Sequence, residues 1–301
     1  MRNISLLFIL FSGFVNYLFA QKNAIPEKLD NSLLWEVSGK GIKKSYIFGT
    51  IHLIAEKDYF LEEKTIKAIH KSKKMVMEID MNKMMDNSLK MLSLAPMKGK
   101  KLKDLVSPED YELIKKYFTE ESNNQEVKMM PFSMIENWKP MFLQSFLYQD
   151  MIEGPAKTYE MELLAIGSQR KMSFDGLETI EDQINVFEKI PYEDQAKVLL
   201  ESIKNIQSGE NEGKNEFKKL TALYKSQNIE EMITQSGEDL FGDMKNAEEE
   251  LLIKRNSNWI PKIKEFSKKK PVFYAVGAAH LGGPNGVLRL LMKEGFTVKA
   301  L

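Results

Sequence analysis

Apolar positions along this chain fall into two rhythms. Short runs rich in β-branched and aromatic residues, bounded by glycine or charge, read as strands: LLWEV (33–37), SYIFG (45–49), KMVMEI (74–79), KMSFDG (171–176), PVFYAVG (271–277) and the closing FTVKAL. Between them lie segments with helical spacing. KDYFLEEKTIKAIHKS (57–72) places Ile66 and Ile69 on one face, and SPEDYELIKKYF (107–118) opens with a Ser-Pro-Glu helix start. The stretch 181–207, carrying Ile184, Phe187, Val198, Leu199, Ile203 and Ile206, reads as one or two amphipathic helices interrupted near Pro191. GVLRLLMKEG (286–295) reads as a last helix stopped by glycine. Strands alternating with helices predict an α/β fold around a central, largely parallel or mixed sheet. Two long helical insertions, at about 82–165 and 181–267, would form a lid or side lobe. No Pro/Gly/Ser linker interrupts 21–301, which predicts a single domain.

Two of these strands end alike. YIFGTIHL and FYAVGAAHL each run from an aromatic-rich apolar segment through Gly-x-x-His to Leu, and they place His52 and His280 at matching positions. The chain has three histidines, and the third, His70, lies among lysines in a helical segment. Ligands of α/β proteins bind outside the carboxyl ends of parallel strands, where glycine permits a sharp turn. Two more strands deliver carboxylates to such ends: Glu78 and Asp80 after VMEID, and Asp175 and Glu178 within SFDGLET.

Composition narrows the chemistry. Residues 1–20, MRNISLLFILFSGFVNYLFA, carry one early charge, Arg2, and an apolar run short for a bilayer, then turn polar at QKNAIPEK. This predicts a signal peptide cleaved near Ala20 and export to the periplasm or beyond. Leu18 stands where a small residue is usual, so an uncleaved anchor is the alternative. No later segment has the length and hydropathy to span a membrane. Basic and acidic residues balance at 43 each, which gives nucleic acid or an anionic membrane nothing to attract it. The absence of cysteine excludes disulfides, cysteine nucleophiles, zinc fingers and iron–sulfur clusters, and leaves His, Asp and Glu as metal donors.

Two histidines with a carboxylate and one open position outline a catalytic metal site. His52, His280 and Glu78 would hold a divalent ion, and Glu178 would serve as general base or orient a histidine. Zn, Mn and Co all suit nitrogen and oxygen donors. Taken singly, each histidine is better explained as a polar residue hydrogen-bonded at a sheet edge, and Glu78 is explained as well by solvent exposure or helix capping. The repeated motif shifts the balance. Arg255 reads by default as a surface residue of an amphipathic helix. The seven methionines between 75 and 97 read as flexible packing, Lys268–Lys270 as a solvated turn, and GGPNGV as a weak candidate for an anion site. No Gly-x-Ser-x-Gly, Walker loop, Gly-x-Gly-x-x-Gly or His-Glu-x-x-His occurs.

LLWEVSGKGIKKSYIFGTIHL, the MEID strand, GLETIEDQINVF, RNSNWIPKI and VFYAVGAAHLGGPNGVLRLLMKEGFTV occur in an order and spacing that resembles the TraB/GumN family, from about residue 33 to 300. Its relatives include bacterial pheromone-shutdown proteins and the animal Tiki proteases. The resemblance implies a metal-dependent peptidase in which His52 and His280 match the paired histidines and Glu78 the strand glutamate. It also raises Arg255 to a candidate for binding a substrate carbonyl or steadying a carboxylate, and keeps Glu178 as a second-rank site residue. The expectation is an exported metallopeptidase acting on a peptide or protein substrate. A peptide-sequestering protein using the same cleft, and a hydrolase of a non-peptide ester or amide, are the alternatives.

Overall fold

A computed structural model describes residues 25–208, 212–234 and 246–301. The leader expected at 1–20 lies outside the described residues. Six strands form one mixed sheet: β1 (Leu34–Ser38), β2 (Ser45–Thr50), β3 (Lys74–Met77), β4 (Ser173–Gly176), β5 (Val272–Gly277) and β6 (Thr297–Ala300). Their spatial order is β4-β3-β5-β2-β1-β6. The first four run parallel, while β1 is antiparallel to both β2 and β6. β2 is buried along its whole length and β5 over all but its last residue, as expected of central parallel strands.

The principal helices are α1 (Glu63–Lys71), α2 (Met84–Leu94), α3 (Pro108–Lys116), α4 (Pro140–Met151), α5 (Tyr159–Gln169), α6 (Ile180–Phe187), α7 (Tyr192–Gln207), α8 (Glu212–Lys225), α9 (Lys254–Lys269) and α10 (Val287–Lys293). Local chemistry sets several boundaries. The Ser107 hydroxyl accepts from the Asp110 N–H at the start of α3, with Pro108 in its first turn. At the start of α6, Thr179 and Asp182 cap each other's backbone N–H groups, and Pro191 separates α6 from α7 as the sequence predicts.

The helix expected over 57–72 is regular only from Glu63. A short turn at Glu56–Asp58 precedes it, and the chain between is held open by α5: the Tyr159 hydroxyl donates to the Phe60 carbonyl at 2.6 Å, and the rings of Tyr59 and Tyr159 lie 4.8 Å apart. Tertiary contact overrides helical propensity there. The 82–165 block is not purely helical either, since Ala156–Lys157 pairs with Ile54–Ala55 just after His52.

Two large hydrophobic cores and one small cluster around Ile190 and Ala247 form among the described residues. One surrounds the sheet and contains Trp35, Phe48, Trp259, Phe273 and Tyr274. The other gathers Phe118, Trp138, Leu143 and Leu147 with Ile184, Leu199 and Ile203. The second core joins α3 and α4 of the first insertion to α6 and α7 of the second, while α5, α8 and α9 pack into the sheet core.

Candidate functional site

Strand register brings the predicted residues to one place. Thr50 pairs with Gly277, and Met77 pairs with both Ala275 and Gly176, so β2, β5, β3 and β4 finish along a common margin. The pairing persists past β3 and β4, where the Leu177 N–H donates to Met77 O and the Glu178 N–H to Glu78 O, each at 2.9 Å. Glu78 and Glu178 therefore emerge side by side. Gly176 makes the close approach possible: a Cβ there would stand 2.7 Å from Asp80 N and 2.8 Å from Glu178 O.

The twin Gly-x-x-His motifs match in sequence and differ in space. Gly277 is in register with Thr50, not with Gly49, so the second motif is displaced by one residue along the sheet. After Gly277 the chain enters a tight turn, Ala278–His280, that buries His280; after Thr50 it runs on to the short strand Ile54–Ala55 and leaves the His52 ring 71% exposed.

Each imidazole is oriented through Nδ1. His52 Nδ1 lies 3.1 Å from Glu160 Oε1, which also accepts from the Thr50 hydroxyl. His280 Nδ1 lies 2.6 Å from Asn256 Oδ1. Asn256 Nδ2 donates to Asn285 O, which fixes the amide so that its oxygen faces His280 and the ring proton belongs on Nδ1. Nε2 of each ring then turns toward the site, where that of His280 faces Arg255. A Cβ built on Gly277 would lie 3.9 Å from His52 Nε2, 3.6 Å from His280 Cδ2 and 3.3 Å from Glu78 Oε1, so these three groups border one small space.

Arg255 closes that space. It follows a π turn, Glu249–Ile253, of a kind often found at functional sites. Its Nη2 donates to Glu78 Oε2 and to Glu178 Oε1, both at 2.6 Å, and its Nε donates to Glu178. Nη1 donates to Leu251 O at 2.9 Å and faces His280 Nε2 at 3.2 Å. All five guanidinium N–H donors are thereby engaged. Glu178 is saturated too, since Trp259 Nε1 donates to its second oxygen at 3.1 Å. The role of general base expected for Glu178 does not fit a carboxylate tied down at both oxygens, nor does carbonyl binding fit an arginine with no free donor. Both residues instead hold Glu78 and His280 in place.

Electrostatics follow from these contacts. Burial alone would raise the Glu78 carboxyl, but Arg255, His280, His52 and the Gly277 N–H at 2.8 Å together hold it well below the usual carboxylate range. Burial, reinforced by Arg255, pushes His280 down to about 3 and keeps it neutral. Glu160 raises His52 above its ordinary value.

The donor set fits a divalent cation in kind: two imidazoles with Nδ1 fixed by acceptors, and a carboxylate beside them. Glu78, Glu160 and Glu178 face Arg255 and the His52 ring, which Glu160 raises to about 9, so a divalent cation bound at His52 Nε2 would take the place of a proton there. The spacing is looser than a coordination sphere. His280 Nε2 is 3.9 Å from Glu78 Oε1, and among the described residues no three His, Asp or Glu side chains are gathered closely enough to hold a metal ion.

The structure thus unites His52, Glu78, Glu178, Arg255 and His280. Asp80 caps a short turn, Asp175 pairs with Lys74 at 2.7 Å, and His70 is remote and exposed. Of the GGPNGV turn, the Gly283 N–H faces the protein's own anion, Glu230. Sequence reasoning missed Glu160, Asn256 and Gln183, whose amide donates to Glu78 Oε2 at 3.2 Å. Asn256 had a signal, its place beside Arg255 in RNSNW; Glu160 had none. No described helix is long and apolar enough to cross a membrane.

The cluster forms one wall of a cavity of about 350 Å³ whose remaining lining is mostly apolar. The model of the TraB/PrgY/gumN family matches residues 33–300, which includes every residue of the cluster. Comparison with curated proteins and with solved structures gave no match.

Proposed function

The chain belongs to the TraB/PrgY/gumN family, and from that premise we propose that it is a metal-dependent hydrolase that cleaves peptide bonds, with His52, His280 and Glu78 holding the cation. The observation that carries this reading is the pair of imidazoles locked through Nδ1 by Glu160 and Asn256, with His52 Nε2 and the Cδ2 edge of His280 bordering the space beside Glu78. A bound divalent ion would polarise a carbonyl and acidify water. Within the protein, Asn256 keeps His280 in the tautomer whose lone pair is on Nε2, where it faces Arg255 Nη1 and would have to exchange that contact for the cation, and Glu160 favours the same tautomer of His52 once that ring is neutral. Arg255 fixes the Glu78 carboxylate and keeps it ionised. The largely apolar lining of the cavity would lower the local dielectric on the buried side of the site, where Glu78 and Arg255 lie.

One observation favours a second reading. The guanidinium of Arg255 bridges Glu78 and His280, where a cation would be, so charge near Glu78 is already compensated by the chain. A peptide-sequestering protein would need nothing more.

Metal analysis of the purified protein separates the two. The hydrolase reading expects about one divalent ion per chain, chelator-sensitive turnover of a peptide library, and loss of both in His280→Ala with the fold intact. A folded, metal-free protein with full peptidase activity would overturn it, and peptide affinity without turnover at saturating Zn, Mn or Co would establish the sequestering role.

A further inference from the structure

One polar group on the cavity wall is not used by the fold. A stripe of α4, Met141, Gln144, Ser145 and Tyr148 at helical spacing, lines the cavity that the cluster closes on another side. The other hydroxyls, amides and guanidinium of the lining already donate within the protein: Thr50 to Glu160, Ser145 to Phe142 O at 2.7 Å, Gln144 to Ser202, Gln183 to Glu78, and Arg255 with every N–H it has. Tyr148 is the exception. Its side chain is half-buried, and its hydroxyl has no hydrogen-bond partner among the described residues. Nor is that oxygen sealed inside protein, as the Gln144 amide oxygen is, so it opens onto the space that the ring borders. Burial raises the Tyr148 phenol above its ordinary value, so it keeps its proton and has an O–H to donate. A hydroxyl drawn partly out of water without a partner costs free energy that phenylalanine in the same place would not.

The surroundings select what that donor can meet. An anion entering the cavity would face the Glu78 carboxylate with no free cation to receive it, since Arg255 has no donor to spare. A neutral acceptor carried on an apolar body fits both the mostly apolar lining and a volume of about 350 Å³. We propose that Tyr148 is a ligand-binding residue whose hydroxyl donates a hydrogen bond to the carbonyl oxygen of an uncharged, apolar acyl group held in the cavity. The inference rests on the reading of the cluster as a hydrolytic centre, and assigns the cavity to the acyl side of the substrate. On that reading the same bond makes Tyr148 catalytic, because it strengthens as negative charge develops on the carbonyl oxygen while the proton stays on the phenol.

The first test needs no turnover. Acetophenone carries one carbonyl oxygen, and ethylbenzene has nearly the same shape without it. Both are titrated by ligand-observed NMR against the chelated full chain, wild type and Tyr148→Phe. The variant removes one oxygen that no protein group contacts, so its melting midpoint should equal or exceed that of the wild type. It is expected to weaken acetophenone about three- to tenfold and to leave ethylbenzene as tight or tighter, a cycle that cancels the difference in solvation between the probes. In cation-loaded protein it is expected to lower kcat on a peptide library about a hundredfold, more than it changes KM. Equal shifts for the two probes, or no binding of acetophenone up to its solubility limit, overturns the proposal. A lowered melting midpoint does so too, since the hydroxyl would then be paired within the fold. Carbonyl discrimination that depends on Tyr148, with no turnover in Zn, Mn or Co, would keep this inference and remove the hydrolase reading; wild-type turnover in Tyr148→Phe would do the reverse.

Discussion

Arg255 commits every N–H it has inside the protein, to two carboxylates, one carbonyl and one imidazole. Removing a partner from such a buried arrangement leaves charge without compensation, at about 3–5 kcal/mol. Arg255→Ala is therefore expected to lower the unfolding free energy by that amount in urea titration, and Arg255→Lys to recover only part, because an ammonium cannot reproduce the planar fork. An unfolding midpoint unchanged in Arg255→Ala would show that water, not Arg255, balances Glu78 and Glu178. Acid stability follows from the same cluster. The folded-state value of His280 is depressed to about 3, so between there and about 6.5 the unfolded chain binds a proton that the folded one refuses. Stability of the chelated protein should then fall as pH drops below about 6.5, by up to roughly 1.4 kcal/mol per pH unit, with Glu78 adding its own loss below about 4.5. His52 acts with opposite sign, its contribution being complete below about 6.5 and lost as pH rises through its raised folded value. Its exposed ring, screened by water, makes that contribution the smaller one. His280→Gln should flatten the curve between about pH 6.5 and 4.5; a curve with the wild-type slope would reject the buried neutral imidazole. At this scale the sequence disclosed residues at strand ends, because β periodicity and a repeated motif mark them. It could not disclose Glu160, whose link to His52 spans 108 positions and depends on how α5 docks.

Elements carry the next layer. The strands were legible from apolar runs, yet β3 ends at Met77, two residues before its expected end, and that early stop turns Glu78 into the site. Gly277 shows how an element end can be tuned for space alone. Its φ of −51° and ψ of 135° suit any residue, so no backbone requirement explains the glycine. What a side chain would meet is the site itself, with Glu78 Oε1 at 3.3 Å and His52 Nε2 at 3.9 Å. Gly277→Ala should therefore fold with a stability change below about 1 kcal/mol while reducing Zn or Co affinity in calorimetric titration at least tenfold. Undiminished affinity would place the cation elsewhere. Gly176 is the contrast, since a Cβ there collides with backbone atoms of both neighbouring segments. The misjudged start of α1 has a similar lesson: the apolar residues Tyr59 and Phe60 fit a helical face on paper, and Tyr159, a hundred positions away, draws them into an extended approach.

The whole molecule was legible as α/β with helical insertions, but not in the way those insertions combine. Parts of two blocks separated by β4 in sequence share a core, in which Ile180, Ile184, Leu199 and Ile203 of α6 and α7 pack against Phe118, Trp138, Leu143 and Leu147. Helix periodicity tells which face of each helix is apolar and not which partner covers it, so a detachable lid and an integral lobe look the same in sequence. The structure makes the lobe integral. Deleting residues 85–160 would strip cover from those four side chains at about 1.5–3 kcal/mol each, a sum that rivals the entire stability of an ordinary domain, about 5–15 kcal/mol. It would also remove Glu160 from His52 and Tyr159 from the sheet core. The truncated chain is expected to aggregate or to lose cooperative thermal unfolding, read by light scattering and circular dichroism. A truncated protein that stays monomeric and melts in one sharp transition would mean that the sheet core stands alone and that α4, with its cavity-lining stripe, is an accessory laid over a site complete without it.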